Sequence, residues 1–84
     1  MRVSFMGRLV AGNRQTVPVE IRWRFKLRPG EIYLVRLEFE EWGSAEFYAR
    51  LQRGGQVTVP IEVVRAAELE KDEVMKAFMR VSDE

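Results

Sequence analysis

Cysteine and histidine are both missing from this chain. Without thiols there is neither a disulfide framework nor a thiolate metal site. Without imidazole, zinc loses its other usual ligand, and general-base chemistry loses its commonest proton carrier near neutral pH. No run approaches the roughly 18 apolar residues of a membrane span. The N-terminus carries apolar residues, but Arg8 interrupts them before a signal-peptide core forms. Gly54-Gly55 has no Lys-Ser/Thr after it and no helix directly following, so it is a poor phosphate cradle and a good hairpin turn. Thr16 and Thr58 have no base to activate them as nucleophiles. These absences predict a cytoplasmic, non-enzymatic protein with no metal, no cofactor and no membrane partner.

Charge of one sign is also scarce: the net charge is +1, which does not describe a general polyanion binder. The halves differ, however. Residues 1–42 carry eight Arg or Lys against five Glu, and residues 43–84 carry six against eight acids. That asymmetry predicts a basic face. At 84 residues, 46% of them hydrophobic, the chain is one domain (1–84) near the lower size limit for an adequate core. The basic residues are mostly Arg and the acids mostly Glu, a leaning compatible with a thermophile.

What is present is a repeat. Shifted by 42 positions, Thr16-Val17-Pro18 falls on Thr58-Val59-Pro60 without a gap. The same shift matches Phe5 with Phe47, Arg8 with Arg50, Leu9 with Leu51, Gly12 with Gly54, Leu27 with Leu69 and Glu31 with Glu73. A fixed period of this length marks a duplicated supersecondary unit. Repeat one covers 3–40 and repeat two 45–82.

Within each copy the elements follow from period and punctuation. Val3, Phe5, Gly7 and Leu9 alternate with polar residues, as do Ala45, Phe47, Ala49 and Leu51, which predicts half-buried strands. Gly7 and Ala49 take matching inward positions where a small residue lets the interior taper. Turns at Gly12-Asn13 and Gly54-Gly55 lead to short strands over 14–17 and 56–59. Pro18 and Pro60 then open helices over roughly 18–25 and 60–67, with Glu20 and Glu62 in the first turn. Residues 22–28 alternate and read locally as a strand. Their mates in PIEVVRAAEL are good helix formers, so the repeat decides for helix. Thr16 and Thr58 are expected to give hydroxyl bonds near the helix starts. A turn at Pro29-Gly30 and its mate at 70–73 precede long strands. In these strands Tyr33, Val35, Leu37 and Phe39, and then Met75, Ala77, Met79 and Val81, point inward. Trp42-Gly43-Ser44 is a hairpin between the halves, and 82–84 is a frayed tail. The expectation is a mainly β fold: a six-stranded closed pseudo-two-fold barrel from two β-β-α-β repeats with two short helices.

The stretch GNRQTVPVEIR, followed by Leu27, Pro29-Gly30-Glu31 and an alternating strand, closely resembles the AbrB/SpoVT swapped-hairpin motif. The second copy keeps Gly54, Thr58-Val59-Pro60, Glu62, Val63, Leu69 and Asp72-Glu73, with Val64 in place of Arg22. In that family two single-motif chains usually interleave as a dimer, and members are commonly DNA-binding transcription regulators or antitoxins. A chain holding both copies looks like the fused form, similar to a RIFT-type cradle-loop barrel, and is expected to be a monomer or weak dimer. Such barrels host unrelated functions, so function rests on the site.

The candidate nucleic-acid-binding residues are Arg8, Arg14, Arg22, Arg24, Lys26 and Arg28, with Arg50 and Arg53 in the second copy. Guanidinium forks give directional bonds to phosphates. The competing reading is a solvated face neutralised by Glu20, Glu31 and Glu38. Trp23 and Phe25 are read as core rather than as base-stacking rings. Trp42 and Tyr48 cover a barrel end, and Glu38, Glu40 and Glu41 form an exposed charged stretch. The resemblance implies duplex DNA as partner and transcription regulation as function. The alternative is a protein-interaction barrel without nucleic-acid binding. Convergence of the cations on one face separates the two.

Overall fold

The computed structural model describes residues 1–40 and 43–81, so the expectations for Glu41, Trp42 and the 82–84 tail fall outside the described residues. The elements run β1 (Arg2–Val10), β2 (Arg14–Thr16), α1 (Val19–Arg24), β3 (Ile32–Phe39), β4 (Gly43–Arg50), β5 (Gln56–Thr58), α2 (Ile61–Ala66) and β6 (Val74–Arg80). All strand pairs are antiparallel, in the order β4-β3-β6-β1-β2-β5. The alternation along the strands places one row of side chains inside the curled sheet. Val3, Phe5, Leu9, Val35, Leu37, Met75, Ala77 and Met79 are buried there, and Val17, Leu51, Val57 and Val59 belong to the same buried cluster.

The repeat is visible bond by bond. Val17 N–H donates to Gly55 C=O at 2.8 Å, and its mate Val59 N–H donates to Asn13 C=O at 2.7 Å. Leu9 N–H donates to Glu73 C=O, and Leu51 N–H to Glu31 C=O, each at 2.9 Å. Each helix ends alike. Leu27 N–H reaches Arg22 C=O and Lys26 N–H reaches Trp23 C=O; Leu69 N–H reaches Val64 C=O and Glu68 N–H reaches Arg65 C=O. These are paired Schellman closures, with Lys26 and Glu68 in the left-handed region at φ 56° and 52°. Of the alternating stretch 22–28, residues 22–24 are helical, as their mates are in the second copy, and the Schellman stop ends α1 at Arg24.

Three local expectations change. The strand ladder is an open, curled half-barrel, not closed, because β4 and β5 form no ladder. Repeat one pairs Leu9 with Gln15 and Val10 with Arg14, whereas repeat two keeps one equivalent bond, Gln52 N–H to Gln56 C=O at 2.8 Å. Strands of three residues cannot line neighbours of eight or nine, so most of that edge of β1 and of β4 is left without a strand partner. The threonine hydroxyls do not cap the helices. Thr58 Oγ1 accepts from Gln52 Nε2 at 2.9 Å and Thr16 Oγ1 from Gln56 Nε2 at 3.4 Å, while the N-caps are Pro18 and Pro60. Trp23 is not core: it is 77% exposed, whereas Phe25 and Ile21, on the opposite face of α1, pack against the core.

Candidate nucleic-acid interface

The cations of repeat one are gathered at one end of the molecule by the backbone around Leu51. Gly30 N–H donates to Leu51 C=O at 2.7 Å, and Leu51 N–H returns to Glu31 C=O. The loop after α1 is thereby bound to the end of β4. Arg50 reinforces the junction, its Nη1 donating to Gly30 C=O at 2.6 Å. Arg28 stands at the start of the same loop, its N–H donating to the Tyr33 hydroxyl at 3.0 Å. Arg53 follows in the exposed turn that leads to Gly55.

Arg22 makes the second tie. Its Nε donates to Val17 C=O at 3.0 Å, and its guanidinium fills the space a side chain at Gly55 would occupy. Gly55 sits at φ 83°, which favours glycine, and the Arg22 guanidinium leaves no room for the side chain that its mate Asn13 carries at φ 58°. Arg22 is therefore half-buried and largely spent on holding α1 to the β4–β5 turn. Its neighbours remain outward. Arg24 is exposed, with its guanidinium carbon 5.6 Å from the Phe25 ring centre, and Lys26 is exposed on the left-handed C-terminal turn.

Six of the eight expected residues, Arg22, Arg24, Lys26, Arg28, Arg50 and Arg53, thus belong to one basic pole. None of the six is ion-paired among the described residues, where the recorded pair is Arg36 with Glu38 at 3.8 Å. Glu20 and Glu31 do not neutralise the pole through salt bridges. The other two residues lie elsewhere. Arg14, whose Nε donates to Ala11 C=O at 3.2 Å, sits on the β2–β5 ribbon. Arg8 lies on the outer face of β1, opposite Val74.

The duplication supplies an internal control. Under the 42-residue shift, Arg22, Arg24, Lys26 and Arg28 correspond to Val64, Ala66, Glu68 and Glu70. At these four positions the same scaffold carries cations in one copy and neutral or acidic residues in the other, although α2 keeps Arg65 and Arg50 has Arg8 as its mate. A chain that needed only solubility has no reason to sort its charges in this way.

Sequence reasoning missed Arg2, Arg36, Lys76 and Arg80, which alternation sets on the outer face of the long strands. Their adjacency depends on cross-strand register, which is not written in local pattern. The carboxylates Glu38 and Glu40 form no group able to hold a metal among the described residues.

No protein-family model matches the chain, and no curated protein matches it. Among solved structures it is similar to PHS018 from Pyrococcus horikoshii, known from its solution structure. The TM-score is 0.80 at 18% identity, over 93% of this chain and 88% of the other. At that identity the likeness concerns the fold alone.

Proposed function

We propose that the protein is a non-enzymatic duplex-DNA-binding protein of the AbrB-like regulatory kind, and that the basic pole carries the binding. One observation supports this reading above the others. Cations from α1, the loop after it and the β4–β5 turn are brought together without carboxylate partners among the described residues, while the repeat mates of Arg22, Arg24, Lys26, Arg28 and Arg53 are acidic or neutral. Unpaired arginines at one end offer phosphates bidentate hydrogen bonds that cost no existing salt bridge. Arg24, Lys26, Arg28, Arg50 and Arg53 contact phosphate, and Arg22 holds the surface in shape.

A protein-interaction barrel is the second reading, and Trp23 favours it. The ring is 77% exposed, one helical turn from Val19, itself 38% exposed, so α1 presents an apolar strip beside the cations.

The test is fluorescence anisotropy of a labelled duplex with wild-type protein, an Arg24→Ala/Arg28→Ala/Arg53→Ala variant and a Trp23→Ala variant. The proposal expects micromolar or tighter binding at about 50 mM salt, and loss by an order of magnitude or more in the triple variant. Absence of duplex binding at that salt contradicts it and leaves the interaction barrel.

A further inference from the structure

The four long strands turn a second surface to solvent. On the outer face of β4-β3-β6-β1, Tyr48 stands opposite Leu34, Arg36 stands between Glu46 and Phe78, and Arg2 stands opposite Arg80. Tyr48 is 74% exposed and Ile32 57%. Tyr48, Ile32, Leu34, Arg80 and Met1 line an open cleft of about 450 Å³. Its lining combines aliphatic side chains with the phenol rings of Tyr33 and Tyr48 and the Arg80 guanidinium. Beside it the Phe78 ring is flanked by two cations, Arg2 at 5.0 Å and Lys76 at 5.3 Å from its centre.

Two features of this face work against the free protein. Arg2 and Arg80 are like charges directly opposite on neighbouring strands, an arrangement that destabilises a sheet. Arg36 has a buried Nε without a hydrogen-bond partner. An anionic ligand relieves the first cost, and on this face the cations Arg2, Arg8, Arg36, Arg50, Lys76 and Arg80 outnumber Glu38 and Glu46.

The internal repeat shows that this is a specialised half. The mates of Tyr48, Ile32, Leu34 and Arg80 are Met6, Val74, Lys76 and Glu38, and they line the corresponding cleft at the other end. The mate cleft therefore lacks both the stacking phenol and the guanidinium and has Glu38, Glu40 and Glu73 around it. The mate cleft has the Phe39 ring and Lys76 instead, set among three carboxylates.

We infer that this outer sheet face is a binding site for single-stranded nucleic acid, with one base stacked in the Tyr48–Arg80 cleft and the strand running on past Phe78 and its two cations. Flat rings on an open sheet with interleaved cations suit unpaired bases, since every base has a π-face and a phosphate behind it. Tyr48 and Phe78 lie two strands and two residues apart, about 12 Å from strand spacing and rise. Arg2 and Lys76, already over the Phe78 ring, meet the backbone. Duplex DNA keeps its bases stacked inside and has no use for these rings, so the site does not depend on the basic pole being a duplex site.

The experiment uses one labelled oligonucleotide of mixed sequence, single-stranded and annealed to its complement, at about 50 mM salt. The proteins are wild type, Tyr48→Ala, Tyr48→Phe, Arg80→Ala and the basic-pole triple variant. Expected are single-strand binding by wild type, about tenfold weakening in Tyr48→Ala and in Arg80→Ala, and retention in Tyr48→Phe. Duplex affinity stays unchanged in Tyr48→Ala. The inference is overturned if the single strand does not bind. It is also overturned if Tyr48→Ala binds it as wild type does while the triple variant loses it, which would place the strand on the pole. Concentration-dependent dimerisation that Tyr48→Ala abolishes overturns it too, since a second copy would then be the occupant. Because Tyr48 is an exposed surface residue, its variants stay folded, which circular dichroism verifies alongside.

Discussion

The carboxamide of Gln15 lies over Gly7 in the interior of the curled sheet. A Cβ on Gly7 would come within 2.8 Å of Gln15 Oε1, and neither Oε1 nor Nε2 of that fully buried side chain has a hydrogen-bond partner. The repeat mates are Ala49 and Val57, both buried, the apolar solution to the same packing problem. Gln15→Val is expected to raise stability by about 1–2 kcal/mol by removing an unsatisfied buried amide. Gly7→Ala alone is expected to cost about 1–3 kcal/mol through overpacking, yet to stabilise in the Gln15→Val background. Urea melts of the two singles and the double give the coupling. Equal effects of Gly7→Ala in both backgrounds would show that the two side chains do not compete for this space.

The paired helix stops predict a second gain. Lys26 and Glu68 hold the left-handed position that glycine takes without strain. Glu68→Gly should stabilise by about 0.5–1 kcal/mol, and Lys26→Gly by a similar amount. Only Lys26→Gly should weaken binding at the basic pole. A loss of stability in both would mean that the Schellman closures do not persist in solution.

Arg22 and Gly55 form the third test. Gly55→Ala meets both a positive φ and the Arg22 guanidinium, so a cost of about 1–3 kcal/mol is expected. At Gly54 nothing lies within 4 Å of a Cβ and φ is not positive, so Gly54→Ala should be close to neutral. Arg22→Ala loses the bond to Val17 and uncovers Gly55, and is expected to cost about 1–2 kcal/mol. Thermal melts of the three separate these effects. An Arg22→Ala protein as stable as wild type would return Arg22 to the set of purely ligand-facing cations.

The repeat made most of this architecture readable in advance. A 42-residue period carries information that a single window does not. Residues 22–28 alternate like a strand, and only PIEVVRAAEL revealed the helix. The roles of Arg22 and Trp23 were not readable, because a six-residue helix offers too few turns to fix which side faces in. The open edge depends on β2 and β5 stopping after three residues, a limit set by Pro18 and Pro60 only once the register is known. The basic pole was half legible. The charge excess of the first half announced it, but the junction of Leu51 with Gly30 and Glu31, which adds Arg50 and Arg53 and leaves Arg8 and Arg14 out, is a long-range backbone event.

The most direct test of the basic pole as a duplex-binding surface is the slope of log K against log salt for wild type and for Arg53→Ala. Each phosphate contact contributes a slope of about −0.9 on B-DNA. Five outward cations at the pole predict a slope of about −4 to −5 for wild type and a reduction of about one unit in Arg53→Ala. A wild-type slope near zero, or a steep slope that Arg53→Ala leaves unchanged, would contradict the account.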